Sequence, residues 1–249
     1  MNAAEYDAEN VLRGLARRAV GLTGADIERL VREARQGARR AQRSLAWTDL
    51  EKRLSSSKPS KPESLRWRIA LHEAGHAVAR RVLNLGSVTL ITISAPSGGG
   101  MVVSDETSLG AETEEHLTAM LVAMLAGRAA EEEFLGTIVA GSGGGRESDL
   151  GRATQLALQM ETSFGFGSDT PLLHIDTLRH ADILAHRTDI AERVNARLES
   201  AYDAALRLVK DHESRVQTLA LELLKHETLE SGDVSRVIAR SGNFEGTSG

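Results

Sequence analysis

Residues 69–79 read IALHEAGHAVA, and the reading of this stretch decides the rest of the chain. On an α-helix His72 and His76, four residues apart, share one face about a turn from each other. Both imidazoles can then reach a single ion, the arrangement of an H-E-x-x-H metal helix. Glu73 is offset around the helix from that line, which suits a carboxylate that touches a water rather than the metal. Gly75 is unfavourable in a helix interior by about 0.8–1 kcal/mol relative to alanine. Its presence predicts a second segment packed close against the backbone there. The helix itself is expected over 63–84, ending at Gly86.

Five letters do not make a site, because helix-rich chains place H-E-x-x-H on solvated faces by accident. A catalytic zinc centre takes three protein ligands and keeps its fourth position for water. The extension H-E-x-x-H-x-x-G-x-x-H is absent, since position 79 is Ala and position 82 is Val. There is no cysteine, so thiolate ligands, disulfides and cysteine nucleophiles are excluded together. The third ligand must be a His, Asp or Glu. Glu114, Glu115 and Glu131 to Glu133 are candidates on the following helix, although such runs read as solvated helix ends. Asp149, opening a helix after the glycine-rich GSGGGRESDL at 141–150, is the stronger candidate. The remaining histidines, His116, His174, His180, His186, His212 and His226, lie in polar surroundings and are not expected to be ligands.

The 249 residues suffice for one large domain or two small ones, with roughly 70–75% of the unfolded surface buried on folding. An aromatic share of 3% argues against a base- or sugar-stacking surface. Thirty Lys and Arg against 35 Asp and Glu, scattered along helices, leave no basic face for nucleic acid. The longest apolar run, LTAMLVAMLAG at 117–127, falls short of the roughly 20 residues of a membrane helix. No signal-peptide pattern opens the chain, so a cytoplasmic location is expected.

Before the metal-site stretch, Thr23 three residues ahead of Asp26 forms a capping-box start for a helix over 23–43. Its apolar stripe is Ile27, Leu30, Val31, Ala34, Ala38 and Ala41. A shorter helix is expected from Thr48, capped through Glu51. SSSKPSKPE at 55–63 has the composition of an exposed hinge. Residues 1–54 are thus expected to form a helical unit, 55–63 a linker, 64–240 the main domain and 241–249 a flexible tail. In the main domain, strands are expected at 87–94 and 101–104, the first stopped by Pro96 and the glycines 98–100. Helices are expected at 112–135, 148–163, 188–211, 213–225 and 232–239. The fold class is mainly α with a small β-sheet.

HEAGHAVA, then AGRAAEEEFLG, then GSGGGRESDLGRATQLALQM resemble in order and spacing the peptidase domain of FtsH-type AAA+ zinc metalloproteases. LVKDHESRVQTLALELLKHETLESGDV resembles that family's closing helices, and LARRAVGLTGADIERLVREARQGARRA the lid subdomain of its ATPase module. The resemblance spans about residues 10 to 240. It implies a zinc ion held by His72, His76 and Asp149, with Glu73 as catalytic base. It implies unfolded polypeptide substrates, assembly into six-membered rings, and a location at a membrane through a region or partner outside this chain. The AEE stretch implies a carboxylate among Glu131 to Glu133 that holds the far nitrogen of a ligand imidazole. SFGFGSD at 163–169 resembles a helix-ending turn, with Phe164 and Phe166 expected in packing. The ATPase core is not matched: no G-x-x-x-x-G-K-[ST] occurs, so ATP would act only through a motor domain that these residues do not contain. The competing expectation is a catalytically idle module that docks on a partner AAA+ ATPase. Substrate is expected to lie extended along the strand at 87–94 or the one at 101–104.

Overall fold

In a computed structural model, described over residues 3–57, 61–95, 99–105, 113–169, 171–176 and 180–241, the helix with the two histidines is the axis of the main domain. It runs Glu63–Val82 (α4, following α1 Ala3–Arg18, α2 Gly24–Arg40 and α3 Trp47–Ser57). Ala70, Leu71, Ala74, Ala77, Val78 and Ala79 are all fully buried. Small residues surround this stretch, so neighbours approach on several sides rather than along one stripe.

Those neighbours are α5 (Glu114–Leu135), α9 (Glu213–His226) and strand β1 (Val88–Thr92). Further out, α6 (Asp149–Thr162) and α8 (Thr188–Asp211) pack on α5, with α7 (His180–His186) against α8. Strands β2 (Met101–Ser104) and β3 (Thr228–Glu230) flank β1 antiparallel in the order β2-β1-β3, and α10 (Ser231–Ser241) closes the domain. Ile91 pairs with Val102 on one side and Leu229 on the other. Thr92 and Thr228, both buried, satisfy each other through hydroxyls 2.9 Å apart.

The expected helices and strands are present, with ends shifted by a few residues. Helices α1 and α7, strand β3 and a 3₁₀ turn at Ala140–Ser142 were not foreseen. Three residues such as β3 carry too little periodicity to read, and only pairing with β1 makes them a strand. Because β3 takes one side of β1 and β2 the other, the expectation that substrate might add to 87–94 fails. Pro96 and Gly98 of the proposed stop, residues 58–60 of the linker and 242–249 of the tail lie outside the described residues.

The N-terminal helices form their own small cluster of Leu15, Leu30 and Leu54, separate from the main core. The capping box at α2 is formed as expected, with Thr23 Oγ1 accepting from Asp26 N at 3.2 Å and Asp26 from Thr23 N at 3.1 Å. Only Leu30, Ala34 and Ala38 of the anticipated stripe are buried, and Ile27 is exposed. So small a cluster covers only the centre of the stripe. Helix α3 begins at Trp47, so Thr48 lies inside it rather than at its cap; Asp49 of its first turn accepts from Ala46 N and is clamped by both terminal nitrogens of Arg43. No helix among the described residues is long and apolar enough to cross a membrane.

Candidate metal centre

The glycine at 75 is explained by α5. A Cβ there would lie 2.6 Å from the Ala126 carbonyl oxygen and 2.9 Å from the Ala130 methyl, so α4 and α5 touch backbone to backbone. Gly127, the next residue of α5 after Ala126, faces the imidazoles. A Cβ at Gly127 would come within 2.5 Å of His76 Nε2 and 2.7 Å of His72 Nε2. Two glycines, one on each helix, make the room in which the histidines sit.

Each ring is held from behind. The Nδ1–H of His76 donates to the Ala123 carbonyl at 2.8 Å, and that of His72 to Glu131 Oε1 at 2.9 Å. These acceptors select the tautomer whose Nε2 lone pair faces forward, as a metal ligand needs. Of the three consecutive glutamates, Glu131 is buried, Glu132 reaches Tyr202, and Glu133 is exposed. A helix turns about 100° per residue, so neighbours in sequence meet three different environments.

Asp149 arrives from the other side at the first turn of α6. Ser148 caps that helix by accepting from Gly151 N at 3.2 Å, and a carboxylate is favoured at this positive end. Asp149 Oδ2 lies 3.0 Å from His72 Nε2 and 3.3 Å from His76 Nε2, and the two Nε2 atoms are 3.1 Å apart. Zinc bonds of about 2.0–2.2 Å in a tetrahedron give ligand–ligand edges of about 3.3–3.6 Å. The observed triangle is close to one face of such a tetrahedron. Among the described residues no other group of His, Asp and Glu brings three donor atoms so close together.

The electrostatics favour positive charge at the centre of this triangle. Burial works against a charged His72, but the hydrogen bonds it donates to Asp149 and Glu131 outweigh it and push its pKa up to about 10. Burial would raise the Asp149 carboxyl, yet the two histidines hold it well below the usual carboxylate range. A proton or a metal cation answers the same demand.

Glu73 stands beside the triangle, buried at 6% exposure, with its pKa raised chiefly by that burial. The start of β2 lies directly over it: a Cβ on Gly100 would sit 2.4 Å from Glu73 Cγ and Oε1. All four residues line one cleft of about 680 Å³. Met101 and Val102 of β2 form one wall, and Met120 and Met124 of α5 line it as well. As the outer strand of the sheet, β2 has one edge unpaired among the described residues. The other expectations divide. Glu114 lies away from the centre in an ion pair with Arg197, and Phe166 packs on the core whereas Phe164 is exposed.

Comparisons with known proteins cover the stretch that contains this site. The chain is 31% identical to the ATP-dependent zinc metalloprotease FtsH 2 of Symbiobacterium thermophilum, over 94% of its own length and 42% of the relative's. It is 31% identical to FtsH 1 of Sorangium cellulosum, over 91% and 40%, and 33% identical to FtsH 1 of Symbiobacterium thermophilum, over 91% and 39%. The chain therefore spans about two fifths of the length of these relatives. Residues 61–237, from just before α4 into α10, match Peptidase family M41. With the two-histidine helix, its buried glutamate and the facing aspartate all inside that match, the chain belongs to peptidase family M41, as an FtsH-type peptidase domain.

Proposed function

We propose that the chain is a zinc metalloendopeptidase that hydrolyses peptide bonds of unfolded polypeptides, with His72, His76 and Asp149 as metal ligands and Glu73 as general base. The observation that carries this reading is the triangle of Nε2, Nε2 and Oδ2 atoms beside a buried carboxylate that is not part of it. Zinc bound there supplies Lewis-acid polarisation of the scissile carbonyl and brings the pKa of water down toward about 7. Glu73 takes the proton of the attacking water on a carboxylate oxygen and passes it to the leaving amine nitrogen. Its burial favours the protonated form, which suits a group that must hold a proton between two steps. His72 and His76 keep their forward lone pairs because Glu131 and Ala123 occupy their outer nitrogens.

Substrate lies extended along the free edge of β2, where main-chain hydrogen bonds hold it without regard to sequence. Gly100 allows that backbone to pass directly over Glu73. The catalytic unit is assigned to residues 64–240, after a linker at 55–63. Residues 1–54 are assigned as a lid remnant that meets an AAA+ ATPase module, in a ring of six. ATP then acts through that module alone. The location proposed is cytoplasmic, free or held at a membrane by a partner or segment beyond these residues. The separate Leu15, Leu30 and Leu54 cluster supports an N-terminal unit with its own packing.

Elemental analysis and a casein digest with and without chelator test the reading. Zinc at one per chain and chelator-sensitive cleavage are expected, with Glu73→Gln retaining zinc and losing about 10²–10⁴-fold in rate. Cleavage by Glu73→Gln at the wild-type rate would sink it.

A further inference from the structure

Arg68 lies one helical turn before His72 on α4, on the same face. Its guanidinium is forked between two objects. Nη1 donates to Glu131 Oε2 at 2.7 Å and to the Thr137 carbonyl at 2.8 Å, while Nη2 donates to Thr137 Oγ1 at 2.9 Å. The same Glu131 oxygen accepts from Val139 N at 3.2 Å, and the other, Oε1, accepts from His72. Glu131 is 2% exposed, so a carboxylate that is unfavourable to bury is fully engaged by one cation, one imidazole and one backbone amide.

Thr137 begins the stretch that leaves α5 and ends at Asp149. One side chain therefore touches both halves of the metal triangle at one remove. Through Glu131 it sets the ring of His72, and through Thr137 it sets the base of the loop that delivers Asp149. We infer that Arg68 is a positioning residue that holds the H-E-x-x-H helix and the Asp149 loop in register for the metal. This rests on the zinc-peptidase reading above. Lysine cannot take its place: a point charge lacks the planar fork that spans a carboxylate, a carbonyl and a hydroxyl at once. The plainer alternative is that Arg68 only neutralises a buried charge, in which case its loss lowers stability and leaves the metal site as it was.

The full chain carrying Arg68→Met, Arg68→Lys or Thr137→Val separates these roles. Zinc affinity is read by competition with a chromophoric chelator, melting temperature on the metal-free protein, and the His72 tautomer from its ring ¹⁵N shifts without metal. Arg68→Met is expected to weaken zinc about 10–100-fold and to loosen the Nδ1–H tautomer of His72. Arg68→Lys should recover melting temperature more than zinc affinity, and Thr137→Val should weaken zinc a few-fold. In a Glu131→Gln background the Arg68→Met effect should shrink, because the relay to His72 is already broken. If Arg68→Met fails to fold, the lysine and valine variants carry the same comparison. Zinc affinity within twofold of wild type in the folded variants, with an unchanged His72 tautomer, overturns the inference whatever happens to melting temperature. A wild-type protein that binds no zinc overturns the peptidase reading instead, and the tautomer comparison still decides on Arg68.

Discussion

The pair α4 and α5 and the N-terminal trio α1 to α3 are both helix packings, yet they are built on opposite principles. Between α4 and α5 the contact is close enough that Gly75 meets a backbone carbonyl and Gly127 meets two imidazoles. In the trio a few leucines meet, with surface ion pairs between the helices such as Arg18 with Glu51 and Arg53 with Glu33. Close contact without room to adjust fixes distances to tenths of an ångström, as a metal triangle requires. A loose leucine cluster fixes only that the helices stay together. The lesson is that precision in this protein is local, concentrated where chemistry is expected.

That contrast can be broken in order of effect on zinc binding. Gly127→Ala should do the most damage: its methyl would occupy the space of both Nε2 atoms, so zinc binding should fall at least a hundredfold by chelator competition. Overpacking should also remove about 1–3 kcal/mol of stability. Retention of wild-type zinc affinity would show that the helices can separate after all. Gly75→Ala follows, since its methyl meets the Ala126 carbonyl away from the rings. A loss of about 1–3 kcal/mol in urea unfolding is expected, with a smaller change in zinc affinity.

Leu30→Ala probes the other region. Truncating a buried leucine removes about 2–5 kcal/mol from the unit that contains it. Proteolysis should then open residues 3–57 while zinc affinity and casein cleavage by the main domain stay within twofold. A matching loss of zinc would mean that the two regions share one cooperative unit. Arg17→Ala should do less. Arg17 bridges α1 to Glu230 at 2.9 Å and Asp233 at 3.0 Å, but these groups keep contact with water. An effect below about 1 kcal/mol, shrinking as salt rises, is expected in thermal melts.

The legibility of the chain follows the same division. His72, Glu73 and His76 were readable because helical periodicity alone puts them where they are. Gly75 was readable as a point of close approach because a glycine inside a helix is otherwise unfavourable. The capping box of Thr23 and Asp26 was readable for the same local reason. Glu131 was not separable from Glu132 and Glu133, since only the packing of α5 on α4 and α8 tells their three directions apart. Thr48 was misread as a cap because the helix begins one residue before it, at Trp47, with Asp49 of its first turn accepting from Ala46 N. Arg68 carried no signal at all: its partners lie 63 and 69 positions further on.

By itself, then, the sequence determined the elements whose causes lie within a turn or two: the two-histidine helix, its buried glutamate's offset, most helix starts and the mainly α class. Only the tertiary structure decided which carboxylate completes the triangle in space, which one stands behind His72, and which strand keeps a free edge. Asp149 is 73 residues from His76, and β3, which closes off β1, begins 136 residues after Thr92. Over such separations no local preference acts, and what brings the groups together is the burial of α4 by α5, α9 and β1 around it, with α6 carried on α5.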